Sequence, residues 1–117
     1  MSDTYLANPN LKKAYVPIEW TEEQVQEVIK CSKDISYFIK TYVKIINLDR
    51  GLIDFEMYPF QEEMATMIDD NRFTVIKTCR QAGKTTTSAA VVLWYALFNE
   101  SYTVAILANK LSTAREI

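Results

Sequence analysis

The chain has 117 residues, a formal net charge of −2, and a composition that is 49% hydrophobic, 12% aromatic and 24% charged. That balance excludes intrinsic disorder, allows one small domain with a real core, and gives no global basic footprint for nucleic acid, though it leaves a local DNA groove open. With no histidine and only Cys31 and Cys79, a structural zinc site and a disulfide framework are both disfavoured, and a reducing compartment is the simpler expectation.

Met1-Ser2-Asp3-Thr4 is polar and no apolar h-region follows, so no signal peptide is expected. Residues 1–17 hold two prolines and little periodicity and are expected as an extended arm. Trp20-Thr21-Glu22-Glu23-Gln24-Val25 is a helix start: Thr21 and Gln24 have capping-box spacing, and Trp20 with Val25 can form a hydrophobic staple. Val25, Val28 and Ile29 mark one helical face, and Ile35, Phe38, Ile39, Tyr42 and Val43 another. The spacing predicts helices over about 22–31 and 34–46, the second capped by Ser32 or Asp34. Asp49-Arg50-Gly51 reads as a turn and 52–57 as a short extended segment.

Pro59 suits the first turn of a helix running to about Asp69. Phe73–Thr78 is rich in β-branched residues and reads as a buried strand; Thr85–Phe98 reads as an apolar, mostly buried helix, and Tyr102–Ala108 as a second buried strand. A last helix is expected near Leu111, capped by Asn109 or Ser112. The most apolar run, 89–98, is far short of the about 20 residues needed to cross a bilayer. Helices followed by strand–helix–strand predict an α/β fold, the start of a parallel sheet behind a helical extension.

The chemistry concentrates between the two expected strands. Thr78-Cys79-Arg80-Gln81-Ala82-Gly83-Lys84-Thr85 follows the phosphate-loop pattern G-x-x-x-x-G-K-[ST] at every position but the first, where threonine replaces glycine. Gly83 has no Cβ, so backbone can approach a phosphate; the N–H groups opening the next helix point at the anion. Lys84 supplies a charge to the β- and γ-phosphates, the Thr85 hydroxyl a ligand for Mg²⁺, and Thr86 a further donor. A bare G-K-T tripeptide is common and also fits a lysine at a solvated helix start, but the flanking strand and helix patterns favour the nucleotide site. Arg80 has two readings: a guanidinium reaching transition-state charge as an arginine finger does, or a surface arginine paired with a carboxylate. Upstream, Tyr58-Pro59-Phe60-Gln61 offers an amide able to pair with N6 and N7 of adenine and an aromatic to pack on the base. The same residues also suit a helix start with an exposed glutamine and a core phenylalanine.

Together these segments resemble the ATPase domain of the large terminase subunit of tailed bacteriophages, in its T4-like myovirus form. The resemblance rests on Tyr58-Pro59-Phe60-Gln61, Phe73-Thr74-Val75-Ile76, Cys79-Arg80-Gln81-Ala82-Gly83-Lys84-Thr85-Thr86 and Val104-Ala105-Ile106-Leu107-Ala108-Asn109-Lys110, with Pro17-Ile18-Glu19-Trp20-Thr21 upstream. In that family the first loop glycine is commonly absent and Arg-Gln stands in the loop, so Thr78 follows the family habit.

The resemblance implies a P-loop ATPase of the additional-strand, RecA-like class, with residues 1–57 as arm and helical extension and 58–117 as the first part of the ATPase domain. It implies ATP and Mg²⁺ as cofactors, a C-terminal RNase H-like nuclease, and double-stranded DNA as partner. A homo-oligomeric ring at the portal protein, a small terminase subunit and a location at the procapsid in the host cytoplasm, without membrane attachment, follow from it too. By position, Tyr58 and Gln61 serve the adenine, and Arg80, Gln81, Ala82, Gly83, Lys84, Thr85 and Thr86 form the phosphate site, with Arg80 and Lys84 catalytic. Gly51, Asp69 and Cys79 inherit no role. Because Ile68-Asp69-Asp70 ends a helix before the loop rather than a strand after it, the hydrolytic carboxylates are expected beyond Ile117. The chain is therefore expected to be an N-terminal fragment that binds ATP weakly without turnover. Two alternatives are a fragment of a superfamily 2 helicase or translocase and a catalytically dead interaction module acting through helices 22–46.

Overall fold

The computed structural model describes residues 4–8 and 11–117. Met1, Ser2 and Asp3 of the leader reading, and Pro9 of the arm, lie outside the described residues. The described part of the arm holds a 3₁₀ turn at Tyr5–Ala7 and one antiparallel bridge between Thr4 and Lys12.

Helix α1 spans Glu22–Lys33. Its start is a reciprocal capping box: the Gln24 N–H donates to Thr21 Oγ1 (3.3 Å) and the Thr21 N–H to Gln24 Oε1 (3.0 Å). The expected staple partners Trp20 and Val25 stay exposed. Helix α2 spans Ile35–Tyr42 and is capped by Asp34, whose Oδ1 accepts from the Tyr37 N–H at 2.9 Å. Ser32 instead donates back to the Ile29 carbonyl within α1 (2.8 Å). The two helices are tied by Glu27, whose carboxylate accepts from the hydroxyls of Tyr37 (2.6 Å) and Tyr42 (2.9 Å). Those two donors hold the Glu27 carboxyl below its ordinary value, and the same bond pushes the Tyr42 phenol up to about 12.

The predicted helix 34–46 is corrected: it ends at Tyr42, and Lys44–Asn47 (β1) pairs antiparallel with Gly51–Asp54 (β2). Val43, Ile45 and Ile46 are β-branched and stiff at χ1, which lowers the cost of leaving the helix. Asn47 then closes the turn, its Oδ1 accepting from the N–H groups of Asp49 (2.9 Å) and Arg50 (3.2 Å), and Gly51 takes a left-handed φ of 72°. Lys44 and Asp54 face each other and form an ion pair at 3.3 Å.

Helix α3, Pro59–Asp70, begins with its proline in the first turn; α4 spans Lys84–Phe98, and the short α5 spans Leu111–Arg115. Lys110 stands at the N-cap of α5 with no side-chain bond, so neither Asn109 nor Ser112 fills that place. Helix α2 sits centrally, packing on α1, α3 and α4. Ile35, Phe38 and Ile39 of α2 meet Ala65 of α3, Ala90, Val91 and Trp94 of α4, Cys31 of α1 and Phe55. The Trp94 indole N–H donates to the Cys31 carbonyl at 2.8 Å in this buried interior. Lys40 of α2 pairs with Glu62 of α3 across the surface of the same junction. Among the described residues no helix is long and apolar enough to cross a membrane.

The two expected buried strands are corrected as well. Residues 73–78 and 102–108 form no helix and join no ladder, and the sheet among the described residues is the antiparallel hairpin alone. Phe73, Val75 and Leu107 are 83%, 96% and 87% exposed. Each segment is held near its start: Thr74 Oγ1 donates to the Met67 carbonyl (3.1 Å), and Tyr102 stacks on Tyr95 with ring centroids 5.1 Å apart. Tyr95 is itself fixed by donating its hydroxyl to Asp69 (2.8 Å). A parallel strand closes its hydrogen bonds only on neighbouring strands, so β-propensity without neighbours gives no sheet. The architecture is thus mixed α/β, with helices dominant. The radius of gyration is 16.8 Å, against about 13 Å for a compact chain of this length.

Candidate functional site: the loop before α4

Residues 79–83 lead from the 73–78 segment into α4. Gln81 (φ 60°) and Gly83 (φ 74°) both adopt left-handed backbone. The turn at Gln81 costs a non-glycine residue about 1–2 kcal/mol. Gly83 is the N-cap of α4. The first helical bond runs from the Thr87 N–H to the Gly83 carbonyl at 3.0 Å, so the N–H groups of Lys84, Thr85 and Thr86 precede the intrahelical ladder. Those donors, with the positive end of the α4 dipole, form an anion-facing helix start. Ala82, Gly83 and Lys84 are half-buried, whereas Thr85 and Thr86 are exposed.

Lys84 folds back over the loop: its ammonium donates to the Cys79 carbonyl at 2.6 Å. Arg80 and Gln81 are exposed and line a surface depression with Lys84. Among the described residues no group of three or more acidic, cysteine or histidine side chains is placed to hold a metal.

Gln61 is brought to the same loop by α3. It is 4% exposed, its Oε1 accepts from the Tyr58 N–H at 2.8 Å, and its Nε2 donates to the Ala82 carbonyl at 3.4 Å. This places the upstream glutamine and the loop before α4, 21 residues apart in sequence, in direct contact. Tyr58 stays exposed and stacks on Phe60 with centroids 5.8 Å apart and planes 8° from parallel.

Sequence reasoning missed two groups. Thr87, fully buried, donates its hydroxyl to the Gly83 carbonyl at 3.0 Å and so fixes the helix start from inside. The Cys79 carbonyl is the present partner of Lys84. Nothing in the run Thr85-Thr86-Thr87 distinguishes the inward threonine except its place one turn after Gly83. A second cavity, of about 280 Å³, lies between α1, α2 and the end of α4, lined by Trp20, Val28, Cys31, Phe38, Tyr42 and Phe98, and takes in none of the site residues above. No known protein-family model matches the chain.

Proposed function

We propose that the chain is the ATP-binding opening part of a viral DNA-packaging motor of the large terminase type. The observation that carries this is the loop itself: a left-handed Gly83 at the N-cap of α4, with Lys84 beside it and Gln61 bonded to the preceding carbonyl. In this reading the N–H groups of Lys84, Thr85 and Thr86 face the phosphates. Lys84 would exchange the Cys79 carbonyl for β- and γ-phosphate oxygens, and the Thr85 hydroxyl would be the chain's ligand to a Mg²⁺ carried by the nucleotide. Arg80, on the rim, is the group that meets charge developing on the transferred phosphoryl, and the Tyr58–Phe60 pair is a platform for the base. The bound nucleotide and its metal would supply the phosphoryl chemistry; the chain's own part here is binding and orientation.

The finer fold follows from the same reading. In that reading residues 73–78 and 102–108, which join no ladder here, would become strands of a parallel P-loop sheet once neighbouring strands paired with them. Their exposed apolar side chains support this, since an unpaired apolar edge is a surface that natural proteins cover. Double-stranded DNA, a portal protein, a small terminase subunit and a ring of like subunits belong to the proposal as the partners of such a motor.

Isothermal titration with ATP·Mg²⁺ tests it. Wild-type chain should release or absorb heat on binding, and Lys84→Ala should weaken affinity by about ten- to a hundredfold, the value of a charge-assisted hydrogen bond. A chain folded by circular dichroism that gives no binding heat sinks the nucleotide reading.

A further inference from the structure

Gln61 stands on the first turn of α3 with its amide buried against the loop, and both ends of that amide are engaged. The Tyr58 N–H is a donor and can meet only Oε1; the Ala82 carbonyl is an acceptor and can meet only Nε2. A flipped amide would set donor against donor at Tyr58 and acceptor against acceptor at Ala82. The two partners therefore demand the same orientation, and the amide is fixed by backbone groups of two separate elements.

The second observation concerns the space beside Gly83. A Cβ built on that residue would overlap Gln61 Nε2 and lie 3.7 Å from Gln61 Cδ. Glycine suits position 83 for its left-handed φ of 74°, and the Gln61 amide, the end of a flexible side chain, occupies the space a Cβ would enter, so a larger residue there has to displace that amide. The Thr87 hydroxyl holds the Gly83 carbonyl from the other side. The Ala82-Gly83 segment, from which α4 takes its first bond, is clamped between α3 and the first turn of α4.

We propose that Gln61 is a positioning residue for the phosphate loop: its amide sets the Ala82-Gly83 backbone, and through it the aim of the N–H groups that open α4. The proposal rests on the nucleotide reading of the loop. It assigns Gln61 an effect on the phosphate half of the ligand, separate from any contact with the base. Removing the amide leaves α3 on α4 through Ala65, Val91 and their neighbours, but frees the loop backbone to sample other conformations. Ligands with no base should then suffer as much as ATP.

The test uses the 117-residue chain and two ligands, ATP·Mg²⁺ and inorganic tripolyphosphate·Mg²⁺, titrated calorimetrically into wild type and Gln61→Ala. The expected result is that Gln61→Ala weakens both ligands by the same factor, about three- to tenfold, as the loss of one positioning hydrogen bond implies. If Gln61→Ala binds tripolyphosphate with wild-type affinity and loses only ATP, Gln61 is a base reader alone and the proposal is overturned, while the nucleotide reading stands. If wild type binds neither ligand, the nucleotide reading fails, and a thermal-melting cycle on Gln61→Ala, Gly83→Ala and the double variant decides the remainder. Positioning predicts that Gly83→Ala lowers Tm less in the Gln61→Ala background, by about 4 °C or more, because the overlap with Nε2 is gone. Additive Tm changes would overturn the coupling between Gln61 and Gly83, with or without a ligand.

Discussion

The N-terminal helices with their hairpin and the segments flanking the loop before α4 obey different rules. In residues 21–54 each element closes its own hydrogen bonds from nearby sequence: Thr21 with Gln24, Asp34 with Tyr37, Asn47 with Asp49 and Arg50, and the hairpin strand on strand. Residues 73–78 and 102–108 carry the residue types of strands, yet they join no ladder and are largely exposed beside a well-packed α4. The lesson is about where the partner comes from. A capped helix or a hairpin finds its partners within a few residues, whereas a parallel strand depends on chain far away.

The largest effect is expected where the two regions meet. Trp94 of α4 donates to the Cys31 carbonyl of α1 at 2.8 Å and packs in an aromatic group with Tyr95 and Phe98. Trp94→Ala should destabilise the chain by about 3–5 kcal/mol, through lost packing and an orphaned buried carbonyl, as read by urea unfolding. A loss below 1 kcal/mol would mean that α4 is not anchored to the extension at all. A smaller effect belongs to the locally closed region: Asp34→Ala removes the α2 cap and should cost about 1 kcal/mol in the same measurement. The smallest belongs to the open segments. Val75→Thr and Leu107→Gln should each leave stability within about 0.5 kcal/mol, since both side chains are almost fully exposed. A drop of 2 kcal/mol in either would show that the segment is buried in solution and would erase the contrast.

Much of the helical scaffold was legible. The Thr21/Gln24 box, the Asp34 cap and the proline start of α3 are local devices, and the structure forms all three with the partners their spacing implies. The helix expected through Ile46 was misread because Ile39, Tyr42 and Val43 continue a helical period. What competes with that period is the β-branched set Val43, Ile45 and Ile46, completed by a turn and a partner strand that periodicity does not register. At the candidate site, Gly83, Lys84 and the opening of α4 were readable from a short contiguous motif. The inward turn of Gln61 was not, because it depends on α3 and α4 packing side by side.

The sequence by itself determined the local pieces: where helices start, and where a glycine, a lysine and two hydroxyls stand at the head of an apolar helix. These are settled over three to five residues, the reach of a capping bond or a helical turn. Only the tertiary structure decided that Gln61 would be buried against Ala82, that its amide would occupy the space beside Gly83, and that Thr87 would close the helix start from within. Those contacts follow from the packing of α2, α3 and α4 around one core, which fixes side chains that no single stretch of sequence brings together.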